Sequence, residues 1–378
     1  MKVKETPLRK LLSENTMASA AELVRAEGDE SHPNAVRCLA CGHRCFIPEG
    51  RSGICQVRFN RGGELRAPSG YAAGIQADPI EKKPFFHAYP GRDALSFGMM
   101  GCDYHCGYCQ NWVTSQALRD DQAVASPQFL KPQELVDLAA ENNCPVMVST
   151  YNEPLITSDW ALEVFKVARQ RGIVCGFVSN GNGTPEVLEF IRPYVDLYKV
   201  DLKSFRDKSY RELGGVLQNV LDTIRLLKQM EFWVEIVTLI VPGFNDSNDE
   251  LREIADFLAT VSVDIPWHVT AFHPDYKMTD PSPTSAETLC RAYEIGRAAG
   301  LRFVYSGNRP GRVGETENTY CPTCQTRLIE RRGFLVTANH MSNSQCPACE
   351  CGIAGVWENN PPRRSNGTGI PLPILVGT

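Results

Sequence analysis

From residue 94 onward the chain alternates near-continuous apolar runs with stretches whose apolar residues recur at helical spacing, and few architectures admit that alternation. The runs at 94–100, 145–150, 173–180, 197–203, 233–241 and 268–273 are predicted as strands, with 301–305 a candidate seventh. The segments 132–142, 158–171, 184–191, 216–230, 249–260 and 285–299 are predicted as amphipathic helices. Strands that are apolar throughout and separated by helices build a parallel sheet covered on both faces. Six or seven such units predict an α/β fold, an open, partial (β/α)6-type barrel rather than a closed eight-unit one. Ligand sites in such folds lie beyond the carboxyl ends of the strands.

The first of these strands runs into Gly101-Cys102-Asp103-Tyr104-His105-Cys106-Gly107-Tyr108-Cys109, with three residues between the first pair of cysteines and two between the second. A 4Fe–4S cube takes one thiolate per iron, usually from four cysteines. Cys102, Cys106 and Cys109 would leave one iron open to an exogenous ligand. Gly101 and Gly107 are expected to relieve the backbone where a side chain would clash. A zinc site completed by His105 is the competing reading, although zinc sites favour two separated CxxC halves.

The chain has fifteen cysteines, and most of the others also cluster. Cys38, Cys41, Cys45 and Cys55 share one loop-rich segment with too little apolar surface to fold alone, so a metal is expected to hold it. Zinc is the first expectation and a second iron–sulfur cluster the competitor, since four thiolates satisfy either. His43, inside that segment, is expected to face solvent. Cys321, Cys324, Cys346 and Cys349 form two CPxC knuckles with a short strand pattern between them at 326–330 and 334–337, the pattern of a closed, structural zinc ribbon. Cys351 is an alternative ligand to Cys349. Clustered cysteines favour metal ligation in a reducing cytoplasm over a disulfide framework.

With 378 residues, 43% of them hydrophobic, the chain can bury a large core, and its length suggests one main domain with attachments. The expected divisions are an N-terminal arm (1–35, with possible helix at 8–12 and 18–26), a Cys-rich segment and wrap (36–93), the barrel core (94–308), the ribbon (309–358) and a flexible tail (359–378). Residues 57–60 and 64–67 are expected to flank a hairpin turn at Gly62 and Gly63, and 78–91 to form an irregular, proline-punctuated wrap. A net charge of −5 gives no electrostatic footprint for nucleic acid. No apolar run is long enough to cross a bilayer, and residues 1–30 are too charged for a secretory signal.

The cysteine loop, with aromatic Tyr108 before its third cysteine, resembles the signature of the radical S-adenosylmethionine (radical SAM) superfamily. That resemblance implies that the amino and carboxylate groups of SAM chelate the open iron and that Tyr108 lies against the adenine. Ser149-Thr150-Tyr151-Asn152-Glu153-Pro154 resembles the superfamily's Gly-Gly-Glu stretch, which contacts the SAM amino group, with Tyr151 and Asn152 in place of the glycines. By the same likeness Ser179 and Asn180 are candidates for the ribose or the methionyl carboxylate. Asp201-Leu202-Lys203 resembles the Asp-Leu-Lys motif of glycyl-radical-enzyme activases, which implies a carboxylate partner for Lys203 and a hydroxyl or cation for Asp201. The turn at 241–246 is expected near the adenine, and His273 is expected to aim at the same mouth.

The N-terminal cysteine pattern, Lys82-Lys83-Pro84, Cys109-Gln110-Asn111-Trp112 and the terminal ribbon together are similar to the AmmeMemoRadiSam-system radical SAM proteins, relatives of the pyruvate formate-lyase activating enzymes. The resemblance spans nearly the whole chain apart from roughly its first thirty residues and the tail. It implies reductive cleavage of SAM to a 5'-deoxyadenosyl radical, an electron donor such as flavodoxin or ferredoxin, and AMMECR-like and Memo-like partners. The expected function is hydrogen abstraction from an unidentified substrate: a small molecule, a peptide or a partner protein. Activation of a glycyl-radical enzyme is an alternative, and a metal-stabilised module binding nucleic acid or protein is another. No catalytic side chain is singled out, because the cofactor carries the chemistry.

Overall fold

The computed structural model describes residues 7–341, 343–359, 361–365 and 372–374. The predicted strands form the centre of a nine-stranded sheet: β1 (Gly74–Pro79), β2 (Asp93–Gly98), β3 (Val146–Ser149), β4 (Val174–Ser179), β5 (Leu197–Asp201), β6 (Trp233–Ile240), β7 (Trp267–Ala271) and β8 (Val304–Gly307), with Leu372–Pro373 at the edge. Strands β2 to β8 are parallel and lie side by side in chain order. β1 runs antiparallel to β2, and Leu372–Pro373 antiparallel to β1. The two ends of the sheet are not paired with each other, so the barrel stays open. Burial on both faces explains the unbroken apolar sequences: all four residues of β3 and all five of β7 are buried.

The helices between them are α1 (Pro132–Glu141), α2 (Ser158–Gln170), α3 (Pro185–Ile191), α4 (Asp207–Leu213), α5 (Leu217–Gln229), α6 (Asn248–Val261) and α7 (Ala286–Ala298). Several start on a side-chain cap: Thr184 accepts from the Val187 amide, Ser247 from Glu250 and Ser285 from Thr288. α4 was not expected, because its seven residues are too short and polar to show a period, and Gly214 ends it in the left-handed conformation at φ 86°.

The N-terminal part differs from the expectation. Residues 7–14 are helical, but Thr16–Ala18 and Val24–Ala26 are strands, paired with Glu64–Pro68 and Val36–Cys38. The wrap begins as β1 and a single 3-10 turn, Ile80–Lys82, and only then becomes irregular. The expected hairpin is present as Phe59–Arg61 and Glu64–Pro68. Buried Arg58 fastens this segment to α2, donating to the Ile156 carbonyl at 2.7 Å and pairing with Asp159.

The ribbon strands Arg327–Arg332 and Leu335–Asn339 pack on the β8 end of the barrel, sharing a core with Phe86, Phe303 and Tyr305. Buried Arg331 holds that junction: it donates to the Phe86 carbonyl at 2.8 Å, covers the Phe86 ring at 4.3 Å and faces Glu81 at 3.6 Å. Burial raises the Glu81 carboxyl to about 7, against the pull of Arg331. Much of the expected tail, 366–371 and 375–378, lies outside the described residues. Of the described part, Ser365 and Arg363 bond to Val336 and Asn339. No helix among the described residues is long and apolar enough to cross a membrane.

Candidate functional site

The cysteine loop leaves β2 at the carboxyl end of the sheet. Gly101 has φ 90°, and a Cβ there would meet the Val57 side chain at 2.7 Å, so only glycine allows the close approach. Gly107 has open space around its Cβ position, so the relief expected there is not needed. The Tyr104 amide points at the Cys102 sulfur at 3.4 Å, and Cys109 Sγ lies 3.2 Å from Ser115 Oγ. His105 packs its ring against Gly214 and its amide donates to the Leu213 carbonyl, which directs it to the α4 end of the loop.

Among the described residues, the group whose sulfurs all lie within 4.8 Å of one another is Cys321, Cys324, Cys346 and Cys349. Its Cys321–Cys349 and Cys324–Cys346 sulfurs are 3.5 and 3.6 Å apart. Bonds of about 2.3 Å in a tetrahedron place thiolates roughly 3.8 Å apart, so this group fits one ion. Cys351 stands outside it, beside Thr323 Oγ1 and the Gly352 carbonyl. Neither Cys102, Cys106 and Cys109 nor Cys38, Cys41, Cys45 and Cys55 meets that spacing. Thiolates of a cubane sit on different irons and stand wider apart than those of a lone ion.

A cavity of about 350 Å³ opens over the loop, walled by Cys106, Tyr108 and Cys109 on one side and by Thr150, Tyr151, Lys199, Asp201 and Lys203 on the other. Tyr108 is buried, with its ring edge-on to Phe244 of the 241–246 turn, centroids 5.7 Å apart. Asn245 fixes that turn: its carboxamide oxygen accepts from the Val241 amide at 2.7 Å, and its nitrogen donates to the Leu239 and Lys203 carbonyls. Burial would raise the Asp201 carboxyl, but Lys199 and Lys203, both paired with it, hold it at about 2. Burial pushes the loop thiols up, Cys106 to about 12 with Lys203 opposing, so loading a metal must displace protons.

The other expected contacts lie elsewhere. Asn152, Glu153, Ser179 and Asn180 form a buried brace behind the loop. Glu153 accepts from Ser179 Oγ and the Asn180 amide, each at 2.7 Å, and from Leu155 N at 3.1 Å. Asn152 Oδ1 accepts from the Met99 amide at 3.0 Å. Asn180 and Asn182 donate to the two oxygens of Asp103 at 2.7 and 2.9 Å, and Asp103 sits 3.7 Å from Cys102 Sγ. Burial, then Asp103, raises the Glu153 carboxyl to about 8. His273 stands exposed at the rim, 3.1 Å from Gln110.

The reading from sequence missed Lys199 and the inner polar wall. The signal was available: Lys199, Asp201 and Lys203 alternate along β5 and its exit, so all three face one side. Glu235 and His268, bonded at 2.7 Å, and Lys83, paired with Asp78, come from the same inward alternation or from the wrap.

Three thiols on a glycine-opened loop, with a cavity over two of them, fit a cluster that leaves room for a second ligand. Asp103, the neighbouring carboxylate, is already engaged by two amides. The Radical SAM superfamily profile matches residues 98–258, the stretch that builds this site. Residues 98–258 are a domain of the radical SAM superfamily, whose members use SAM and a 4Fe–4S cluster, and the chain is an enzyme. The chain is 39% identical over 303 residues to uncharacterized protein MJ0808 of Methanocaldococcus jannaschii, covering 80% of this chain and 89% of that one. It is distantly similar to the pyruvate formate-lyase 1-activating enzyme of Escherichia coli K12, at 23% identity over 57% of this chain and 93% of that one. Among solved structures, a radical SAM methyltransferase from Sphaerobacter thermophilus aligns over 81% of this chain and 83% of that chain, with 16% identity and a TM-score of 0.44.

Proposed function

We propose that Cys102, Cys106 and Cys109 hold a 4Fe–4S cluster with one open iron and that SAM occupies the cavity above it. Bound there, the pair supplies a one-electron reductive cleavage that yields a carbon radical able to take hydrogen from a substrate. The observation that carries this reading is the shared cavity: two of the three thiols, Tyr108 and the Lys199–Asp201–Lys203 row all open onto it. Tyr108 offers a flat face to the adenine. Lys203 is positioned to meet a carboxylate, and Asp201, fully ionised, to accept from a hydroxyl or ammonium. Asn152, Glu153, Ser179 and Asn180 serve by holding the loop in register with the strand ends, and His273 guards the rim. Filled by SAM and a substrate, the cavity would exclude water and hold the reacting atoms aligned.

The substrate belongs to the open part of this reading: a small molecule, a peptide or a partner protein. The distant likeness to activating enzymes favours, as a second reading, a glycyl-radical enzyme as the protein acted upon. The family resemblance adds a flavodoxin or ferredoxin as donor and AMMECR-like and Memo-like proteins as partners, in the cytoplasm. We assign structural zinc to Cys321, Cys324, Cys346 and Cys349. The test is anaerobic reconstitution with dithionite and SAM. Formation of 5'-deoxyadenosine is expected, and its absence from protein with a loaded loop cluster would overturn the reading.

A further inference from the structure

Cys38, Cys41 and Cys55 are buried, Cys45 is half-buried, and none of the four is in a disulfide. Among the described residues their sulfurs do not share the close mutual spacing found in the ribbon, and in this they are like the sulfurs of the signature loop; the thiolates of a cubane stand wider apart than those of a lone ion. The segment also abuts that loop. A Cβ on Gly101, next to Cys102, would lie 3.1 Å from the Cys55 carbonyl oxygen. The Gly42 amide, next to Cys41, donates to the Asn182 carbonyl at 2.8 Å, and the Asn182 side chain donates to Asp103. His43 is not solvent-facing as expected: its Nε2 is buried without a hydrogen-bond partner and points to Asp103 at 3.9 Å.

We propose that Cys38, Cys41, Cys45 and Cys55 hold a second, four-thiolate iron–sulfur cluster that passes electrons to the cluster of the signature loop. With all its protein ligands supplied, such a cluster has no open iron for SAM, which leaves it electron transfer as its chemistry. The shared wall of Cys55, Gly101, Asn182 and Asp103 puts only a few residues between the two groups. In the step, a reduced low-potential protein donor of the flavodoxin or ferredoxin class loses one electron, the N-terminal cluster gains it and then loses it to the loop cluster. No bond is made or broken and no proton is required. The relay rests on the radical SAM reading; the identity of the N-terminal metal does not.

The full chain carrying Cys102→Ala, Cys106→Ala and Cys109→Ala, reconstituted anaerobically, decides the metal. Retained iron with matching acid-labile sulfide, an electron paramagnetic resonance signal on reduction and zinc for the ribbon alone are expected. Loss of all iron with zinc enough for two sites would overturn the proposal. The complementary variant, Cys41→Ser with Cys55→Ser, tests the relay. With its loop cluster loaded, it should still form 5'-deoxyadenosine with dithionite and lose that activity with reduced flavodoxin. Equal activity with both reductants would remove the relay. If this second variant fails to fold, the loop variant, which leaves the N-terminal group intact, still decides the metal. Iron retained in the loop variant while loaded wild-type protein fails to cleave SAM would sink the radical reading alone.

Discussion

Asp201 stands between two lysines, and its ionisation is what lets both of them stay charged inside the barrel. Asp201→Asn leaves Lys199 and Lys203 facing each other without a counter-charge. Asp201 is only partly buried, so the loss should fall below about 3–5 kcal/mol, the cost of breaking a fully buried pair, and is to be read from urea unfolding. Adding Lys199→Met should recover part of the loss, and no recovery would show that the pair acts otherwise. A second residue sets an acid limit. His87 is buried as the neutral ring, donating from Nδ1 to the Ala354 carbonyl at 2.7 Å and accepting at Nε2 from the Tyr305 hydroxyl at 2.6 Å. Burial lowers its pKa from 6.5 to about 4. Because the folded value is the lower one, the unfolded chain binds the proton first: stability is full above 6.5 and falls as pH drops through 6.5 toward 4. The loss assignable to His87 is about 2 kcal/mol between pH 7 and pH 5. His87→Gln should flatten the pH dependence of unfolding over that interval, and an unchanged slope would place the titration elsewhere. Spacing alone singles out the loop cysteines, but it does not say where Glu153 and Asn180 point. Sequence says that a carboxylate follows a strand, not whether it turns into the cavity or back toward Asp103.

At the scale of elements, the join between β2 and β3 depends on an absent side chain. A Cβ on Gly98 would come within 2.2 Å of the Thr150 carbonyl oxygen and 2.9 Å of Tyr151 Cβ. The oxygen is backbone and cannot swing aside, so Gly98→Ala must part the two strands where they deliver the cysteine loop and Thr150. A cost of about 1–3 kcal/mol is expected, together with poorer iron loading after reconstitution; normal stability and loading would show that the sheet yields more easily. The parallel strands and their helices were legible because burial on both faces writes itself as unbroken apolar runs. β1 was not. Its sequence carries Gln76, Asp78 and Pro79, and its strand form comes from antiparallel pairing with β2, a tertiary contact without a local signature. The stretch 18–26 reads as a weak helix for the same reason: pairing with distant residues 36–38 and 64–68 overrides local preference.

Across the whole molecule, the Cys-rich segment is tied to the barrel by polar contacts, two of them buried and one at the surface. Thr184 Oγ1 donates to the Leu39 carbonyl at 2.6 Å, Arg44 forks onto Glu186, and Arg58 reaches Asp159. Asp159→Ala strands the Arg58 guanidinium in the interior, at a cost of about 3–5 kcal/mol. Faster hydrogen exchange is expected at 36–68 than in β4 to β7, and equal protection would mean that the segment is held by other means. The sheet, meanwhile, never meets its own first strand. The stretch after β1, Lys82 to Pro84, and the ribbon tip at Gly333 and Phe334 reach the cavity wall from outside the strands. The doorway is therefore furnished by chain outside the repeating scaffold. Exchanging those two short pieces would alter which visitors are admitted while leaving the radical machinery untouched.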